Sequence, residues 1–239
     1  MLDNVKLEKV LFLDIETVPI SPSFIDMNSG YQDFWEKKSQ QFRKENQTAE
    51  EVYQRAGIYS EFGKVICISF GVVHLRDNIR HLRLKSIAGD DEKTVLSEFA
   101  NLLIRMNKSN DLILCAHNGK EFDFPYLSRR MLINEIKLPA ILDVAGRKPW
   151  ETQFLDTMEL WKFGDYKNYT SLNLLSFLFG IPSPKSDIDG SMVADVYWKE
   201  NDLPRIARYC QNDVLAIVQL FLKFKGEPII PDDRIEFVV

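Results

Sequence analysis

Three cysteines, three histidines and a deficit of positive charge are what this 239-residue sequence has little of, and each shortage excludes something. Cys67, Cys115 and Cys210 are widely separated in apolar surroundings, which argues against a disulfide framework or a cysteine zinc site and leaves reduced core thiols. No apolar run reaches the ~18 residues that a membrane helix needs. The opening Met1-Leu2-Asp3-Asn4-Val5-Lys6 lacks the basic-then-apolar order of a signal peptide. The expectation is a cytoplasmic protein with no membrane. Lys and Arg number 30 against 35 Asp and Glu, a net charge of −5, so no global field attracts a polyanion and a binder relying on bulk basicity is excluded. An enzyme that meets phosphate with bound divalent ions and a few local cations is not. Internal repeats and low-complexity tracts are also lacking.

What is present is enough for one core: 45% hydrophobic and 12% aromatic residues. They suit a single domain over 1–239 with a polar insertion at about 20–62. Val10 to Thr17 reads as a first strand. Lys64 to Leu75 and Ile79 to Ile87 read as a hairpin turning at Arg76-Asp77-Asn78. Asp91 to Met106 has helical spacing, and Asp111 to Ala116 is a short apolar strand returned parallel by that helix. Helical segments are expected from Pro125 to about Asn134, near Ser171 to Phe179, near Met192 to Trp198 and over Leu203 to Phe224, with Phe154-Leu155-Asp156 as a short final strand. Strands first and helices later predict an α/β fold, a mixed central β-sheet flanked by α-helices. Within the insertion, Thr48-x-x-Glu51 is a capping box. The whole segment reads as a solvated excursion rather than a lid.

The chemistry is concentrated in carboxylates. Asp14 and Glu16 end the first strand two residues apart, so both point to one face at the edge of an apolar core. Two buried anions there must be protonated, matched to cations or holding metal, and hard Mg²⁺ or Mn²⁺ would use both. A strand end running into solvent is the bland alternative. Asp123 follows the Asp111 strand, where it reads as the cap of the next helix and, compatibly, as a third carboxylate at a strand's carboxyl end. Tyr209 and Asp213 are four apart and share a helix face, although a lone helical Asp is more often exposed or paired, here with Arg205 or Arg208.

Taken together, Asp14-Ile15-Glu16, Asn118-x-x-x-Phe122-Asp123 and Tyr209-x-x-x-Asp213 resemble the three exonuclease motifs of the DEDD superfamily. The likeness spans roughly residues 10 to 224. It is to the tyrosine-bearing branch, that of the exonuclease domain of family B DNA polymerases and its stand-alone bacterial relatives. The other branch would carry His where this chain has Arg208. The resemblance implies an RNase H-like fold in which Asp14, Glu16, Asp123 and Asp213 hold two divalent ions, Mg²⁺ or Mn²⁺, and Tyr209 orients the attacking water. Thr17, Asn118 and Phe122 would contact the terminal nucleotide. The implied activity is 3′-to-5′ hydrolysis of single-stranded nucleic-acid ends, DNA favoured, releasing nucleoside 5′-monophosphates. A catalytically silent nucleic-acid-binding or replication-partner module on the same fold is the alternative. The sequence after Asp213 is too short for a polymerase domain. An auxiliary phosphate contact falls to Lys162, Lys167 or Lys185, unranked. The aromatics Trp150, Phe154, Trp161, Phe163, Tyr166 and Tyr169 are expected mainly in the core, with one or two on the substrate path. Asp156 reads as a helix cap, and His117 as a neighbour of the strand end rather than a catalyst.

Overall fold

The computed structural model describes residues 2–165, 169–182 and 187–238. Six strands form one mixed sheet: β1 (Val10–Pro19), β2 (Gly63–Arg76), β3 (Ile79–Ala88), β4 (Ile113–Ala116), β5 (Phe154–Asp156) and β6 (Ile235–Val238), in the order β5-β4-β1-β2-β3-β6. β1, β2 and β3 are antiparallel neighbours, whereas β4 pairs in parallel with β1 and β5 with β4. The hairpin turns where expected, because Asp77 and Asn78 both adopt the left-handed conformation (φ 52° and 61°) of a two-residue turn that matches strand twist. β5 is not the final strand: β6 adds in parallel to β3 at the far edge of the sheet.

β1 lies at the centre of the sheet and is covered on both faces, which is why its sequence is nearly continuous in apolar residues. Leu11, Leu13 and Ile15 point into a cluster with Phe99, Leu103 and Leu127. Those partners come from two helices, α2 (Glu92–Met106) and α3 (Asp123–Ile133). The alternate residues Val10 and Phe12 meet Val214, Ile217 and Phe221 on the opposite face. Full burial of each such side chain contributes roughly 1.5–3 kcal/mol, and Asp14 and Glu16 continue this second face. The helices are α1 (Ser29–Ser39), α2 (Glu92–Met106), α3 (Asp123–Ile133), α4 (Thr157–Lys162), α5 (Leu172–Leu178), the short α6 (Val193–Asp195) running into a π-helical turn, and α7 (Leu203–Phe224). α7 begins at the Asp202 cap, whose carboxylate accepts from the Arg205 N–H at 3.0 Å.

The 20–62 segment is not a solvated excursion. It folds around its own apolar cluster, with Trp35 wholly buried among Met27, Val52, Tyr53, Ala56 and Phe62, and the Trp35 indole N–H donating to the Ala49 carbonyl. The Thr48/Glu51 capping box forms reciprocally (2.8 and 3.2 Å) but leads into a 3₁₀ turn, Tyr53–Ile58, rather than an α-helix. That turn is tied to the sheet: the Gly57 carbonyl accepts hydrogen bonds from Thr17 Oγ1 and from the Tyr126 hydroxyl, each at 2.8 Å. Gly63 is required where these meet, since a Cβ there would lie 2.2 Å from the Tyr126 hydroxyl oxygen and 2.7 Å from the Gly57 oxygen. A buried ion pair clamps the same corner. Arg130 Nε donates to Glu92 at 2.8 Å and its Nη1 to the Ser60 carbonyl at 3.0 Å, while Glu92 also accepts the Val65 N–H at 2.7 Å. No helix among the described residues is long and apolar enough to cross a membrane.

Candidate active site

The second face of β1 runs from Phe12 to Asp14 and Glu16 beneath the middle of α7. Opposite Glu16 the pairing with β2 slips, with Glu16 facing Cys67 and Thr17 facing Val65. Such a bulge re-aims side chains at the end of a ladder. One turn of α7 carries Tyr209, Cys210 and Asp213 over this point. Cys210 Sγ lies 3.3 Å from Asp14 Oδ2, and single ligand atoms of Asp14, Glu16 and Cys210 fall within 4.8 Å of one another. The three cysteines are free and buried, as expected of core thiols, but Cys210 also touches a carboxylate of the cluster.

Asp123 enters from the parallel neighbour of β1. After β4 the chain turns through Asn118 in the left-handed conformation (φ 64°) and starts α3 at Asp123 itself. The expected role of Asp123 as the helix cap is therefore corrected: Phe122 occupies the cap position without a side-chain bond. The Asp123 carboxylate instead turns inward, held by its own N–H and that of Ile15. The turn is organised by Asp156 at the end of β5. Its carboxylate accepts from the Asn118 and Lys120 N–H groups (2.9 and 3.1 Å) as well as capping α4 through Met158 (2.9 Å). The sequence around Asp156 signals only the cap. The loop contacts, 36 and 38 residues away in sequence, have no local signal.

A cavity of about 760 Å³ collects these groups. It is lined by Asp14, Glu16, Asp123 and Asp213, by Tyr209, and by Thr17, Asn118 and Phe122. Every sequence-predicted site residue thus reaches one space, from β1, the β4–α3 turn and α7. Asp213 is not neutralised by the arginines of its own helix: Arg205 is turned to Glu200 at 2.5 Å and Arg208 is exposed. Thr17 reaches the cavity, but its hydroxyl proton is committed to Gly57. His117 also lines the wall, with Nε2 against the Thr170 carbonyl (2.9 Å) and Nδ1 against the Thr157 hydroxyl (2.8 Å). Both ring nitrogens are engaged, which removes it as a proton carrier. Of the aromatic group, Tyr169 alone lines the cavity among the described residues. Phe154 is buried, Trp161 packs on Phe179 and Phe224, and Trp150 and Phe163 lie exposed elsewhere. Lys162 closes α4 away from the cavity; Tyr166, Lys167 and Lys185 lie outside the described residues.

The electrostatics are those of crowded, desolvated acids. Burial, then the charges of Asp123 and Asp213, pushes Asp14 well above the usual carboxylate range. Burial, then Asp14 and Asp213, does the same to Glu16. Burial raises Asp123 to about 7, against the opposing help of its backbone N–H bonds, and raises Asp213 to about 6 despite a hydrogen bond from Tyr209. The Tyr209 phenol is itself pushed above its ordinary value by burial and by the Asp213, Glu16 and Asp14 charges, so it stays protonated and donates to Asp213. Asp123 Oδ1 is buried with no hydrogen-bond partner among the described residues. A set of hard oxygen donors that includes an orphaned carboxylate oxygen fits divalent Mg²⁺ or Mn²⁺, which would restore the missing charge.

Comparison with known proteins bears on the family and the fold. Residues 58–227 match the family described as a predicted 3′-5′ exonuclease related to the exonuclease domain of PolB. Asn118, Phe122, Asp123, Tyr209 and Asp213 lie inside the matched stretch, and Asp14, Glu16 and Thr17 precede it. No curated protein matches significantly. Among solved structures, the chain is similar to the family B DNA polymerase from the hyperthermophilic archaeon Pyrobaculum calidifontis, with a TM-score of 0.53 at 15% identity, over 90% of this chain and 24% of that one. The chain therefore spans about a quarter of the polymerase's length, and at this identity the likeness speaks for the fold, an RNase H-like α/β architecture. With the family matched over well more than half of its residues, this chain belongs to the family of predicted 3′-5′ exonucleases related to the exonuclease domain of PolB.

Proposed function

We propose that this protein is a metal-dependent 3′-to-5′ exonuclease that hydrolyses single-stranded nucleic-acid ends, DNA in preference to RNA, and releases nucleoside 5′-monophosphates by two-metal-ion chemistry. The observation that supports it most is the convergence of Asp14, Glu16, Asp123 and Asp213, with Tyr209, on one cavity, where no cation among the described residues pairs with them. A pure binding surface for a polyanion gains nothing from four converging carboxylates. These four side chains would hold the ions; when bound, two divalent ions supply an activated water and stabilise the departing 3′ oxygen.

The chain's own groups account for positioning. Tyr209 keeps its proton and spends it on Asp213, so its hydroxyl oxygen is left to accept from the attacking water and aim it, without removing its proton. Asn118 Oδ1, on the cavity wall, is buried without a partner among the described residues, an acceptor suited to a donor on the terminal nucleotide. Phe122, half-buried and packed against Tyr126, offers an apolar surface beside it. The preference for DNA rests on the likeness to a DNA polymerase. The test is digestion of 5′-labelled linear DNA and RNA strands, and of a circular single strand, with Mg²⁺ or Mn²⁺. Progressive shortening from the 3′ end with monophosphate products, intact circles, and loss of activity in Asp14→Asn and Asp213→Asn are expected. A wild-type protein that leaves linear strands whole with either metal, or that cuts circles, overturns the reading.

A further inference from the structure

The cavity that gathers four carboxylates must also admit a phosphodiester, and among its described lining residues one carries a cationic side chain: Arg55. It belongs to the 3₁₀ turn Tyr53–Ile58 of the segment between β1 and β2, outside the residues 58–227 that match the family. We propose that Arg55 is the phosphate-binding residue of this cavity, donating its guanidinium N–H groups to the non-bridging oxygens of a substrate phosphodiester. This deepens the exonuclease reading and rests on it.

Two observations beyond the charge carry the assignment. First, the guanidinium is held but not used. Its Cζ stands 4.3 Å from the centroid of the Phe42 ring, and that ring is stacked on Tyr59 at 5.9 Å with planes 13° apart. Trp35 backs both rings, at 5.8 and 6.0 Å. Stacking occupies the flat face of a guanidinium and leaves its in-plane donors available for an anion. No carboxylate pairs with Arg55 among the described residues, although Arg43, Arg83, Arg130 and Arg205 each have one. Second, the backbone that carries it is clamped at both ends. Gly57 is bonded to Thr17 on the catalytic strand and to Tyr126 on α3, and Gln54 Nε2 donates to Asp195 Oδ1 of α6 at 3.0 Å. Arg55 thus sits between anchors to three elements that wall the cavity. A fixed, stacked, unpaired arginine is the preorganised form of a phosphate contact, since a forked donor loses little freedom when the anion arrives.

The test compares wild type, Arg55→Ala and Arg55→Lys in Mg²⁺ on a labelled single strand, reading KM and kcat and the dependence of strand binding on salt by fluorescence anisotropy. Arg55→Ala is expected to raise KM roughly tenfold or more, the usual consequence of losing a charged hydrogen bond, with a smaller change in kcat. The slope of log affinity against log salt should become shallower by about 0.7, one phosphate contact on a single strand. Arg55→Lys should keep the slope while losing part of the affinity, because a point charge replaces a fork. The residue is exposed, so melting temperatures should stay near that of wild type. An active wild type alongside an Arg55→Ala protein with unchanged KM, or with a raised KM but an unchanged salt slope, overturns this inference alone and reduces Arg55 to a packing residue on Phe42. A wild type inactive on every strand overturns the exonuclease reading, and this inference with it.

Discussion

Asp123→Asn should make the metal-free protein more stable at pH 8 while destroying the site. Burial pushes Asp123 from its ordinary 3.8 up to about 7, and it lies 3% exposed at the start of α3. A carboxylate raised in the folded state contributes stability that is complete below the unfolded value and is lost as pH rises through about 7. At about 1.4 kcal/mol per pH unit, holding it ionised at pH 8 costs the fold on the order of 4 kcal/mol. The amide has the same shape and no charge, and its oxygen can still accept from the Ile15 N–H. Its two donors must find partners among Asp14 and the cavity, so a net gain of about 2 kcal/mol is expected. For a chain of this length that is roughly 4–8 °C in melting temperature. Calorimetry in EDTA at pH 8 and pH 5 is the assay. The variant should melt higher at pH 8 and nearly with wild type at pH 5, where Asp123 is already protonated. Millimolar Mn²⁺ should reverse the order at pH 8, because it raises the wild type alone. A variant that melts at or below wild type in EDTA at pH 8, or a difference that does not change with pH, would refute the reasoning.

Three further perturbations follow from the same structure. Arg130→Met leaves Glu92 buried without its partner, and urea denaturation should show a loss of about 3–5 kcal/mol. Tyr209→Phe removes the hydroxyl proposed to accept from the attacking water and should lower kcat by about 10²-fold in a strand-digestion assay. Because that phenol is held above its ordinary range, the alkaline side of the pH profile should not move. Gly63→Ala drives a methyl into the Tyr126 hydroxyl and the Gly57 carbonyl; thermal denaturation should report about 1–3 kcal/mol of destabilisation, with a weakened hold on the 3₁₀ turn that carries Arg55.

The parts of the fold legible in the sequence were those whose signals are local. The Asp77-Asn78 turn, the helical spacing of α2 and the span of α7 follow from periodicity and turn chemistry over a few residues. The candidate site was legible through the resemblance of three ordered motifs, Asp14-x-Glu16, Asn118-x-x-x-Phe122-Asp123 and Tyr209-x-x-x-Asp213, to those of a known superfamily; spacing alone left each acid a bland alternative, and all of them line the same cavity. What local patterns did not show depends on distant contacts. Hydrogen bonds to Gly57 span 40 and 69 residues and turn a polar stretch into a cavity wall. Asp156 anchors the Asn118 turn across 38 residues, so its second role was invisible beside the cap it also forms. β6 carries four residues whose partner, β3, lies more than a hundred positions earlier. α1 places Tyr31, Phe34 and Trp35 within a largely polar run, too few apolar positions for a clear helical face. Arg55 carries no sequence signal for a related reason: the candidate lysines lie between Asp123 and Asp213, whereas the arginine that lines the cavity comes from before β2.

The most direct measurement is anomalous scattering from crystals soaked in Mn²⁺ with a nucleoside 5′-monophosphate. Two manganese peaks inside the cavity, with Asp14, Glu16, Asp123 and Asp213 supplying oxygen ligands, are the predicted result. Manganese absent from the cavity at millimolar concentration, or bound with Asp123 and Asp213 turned away from it, would contradict the claim that these acids converge to hold metal.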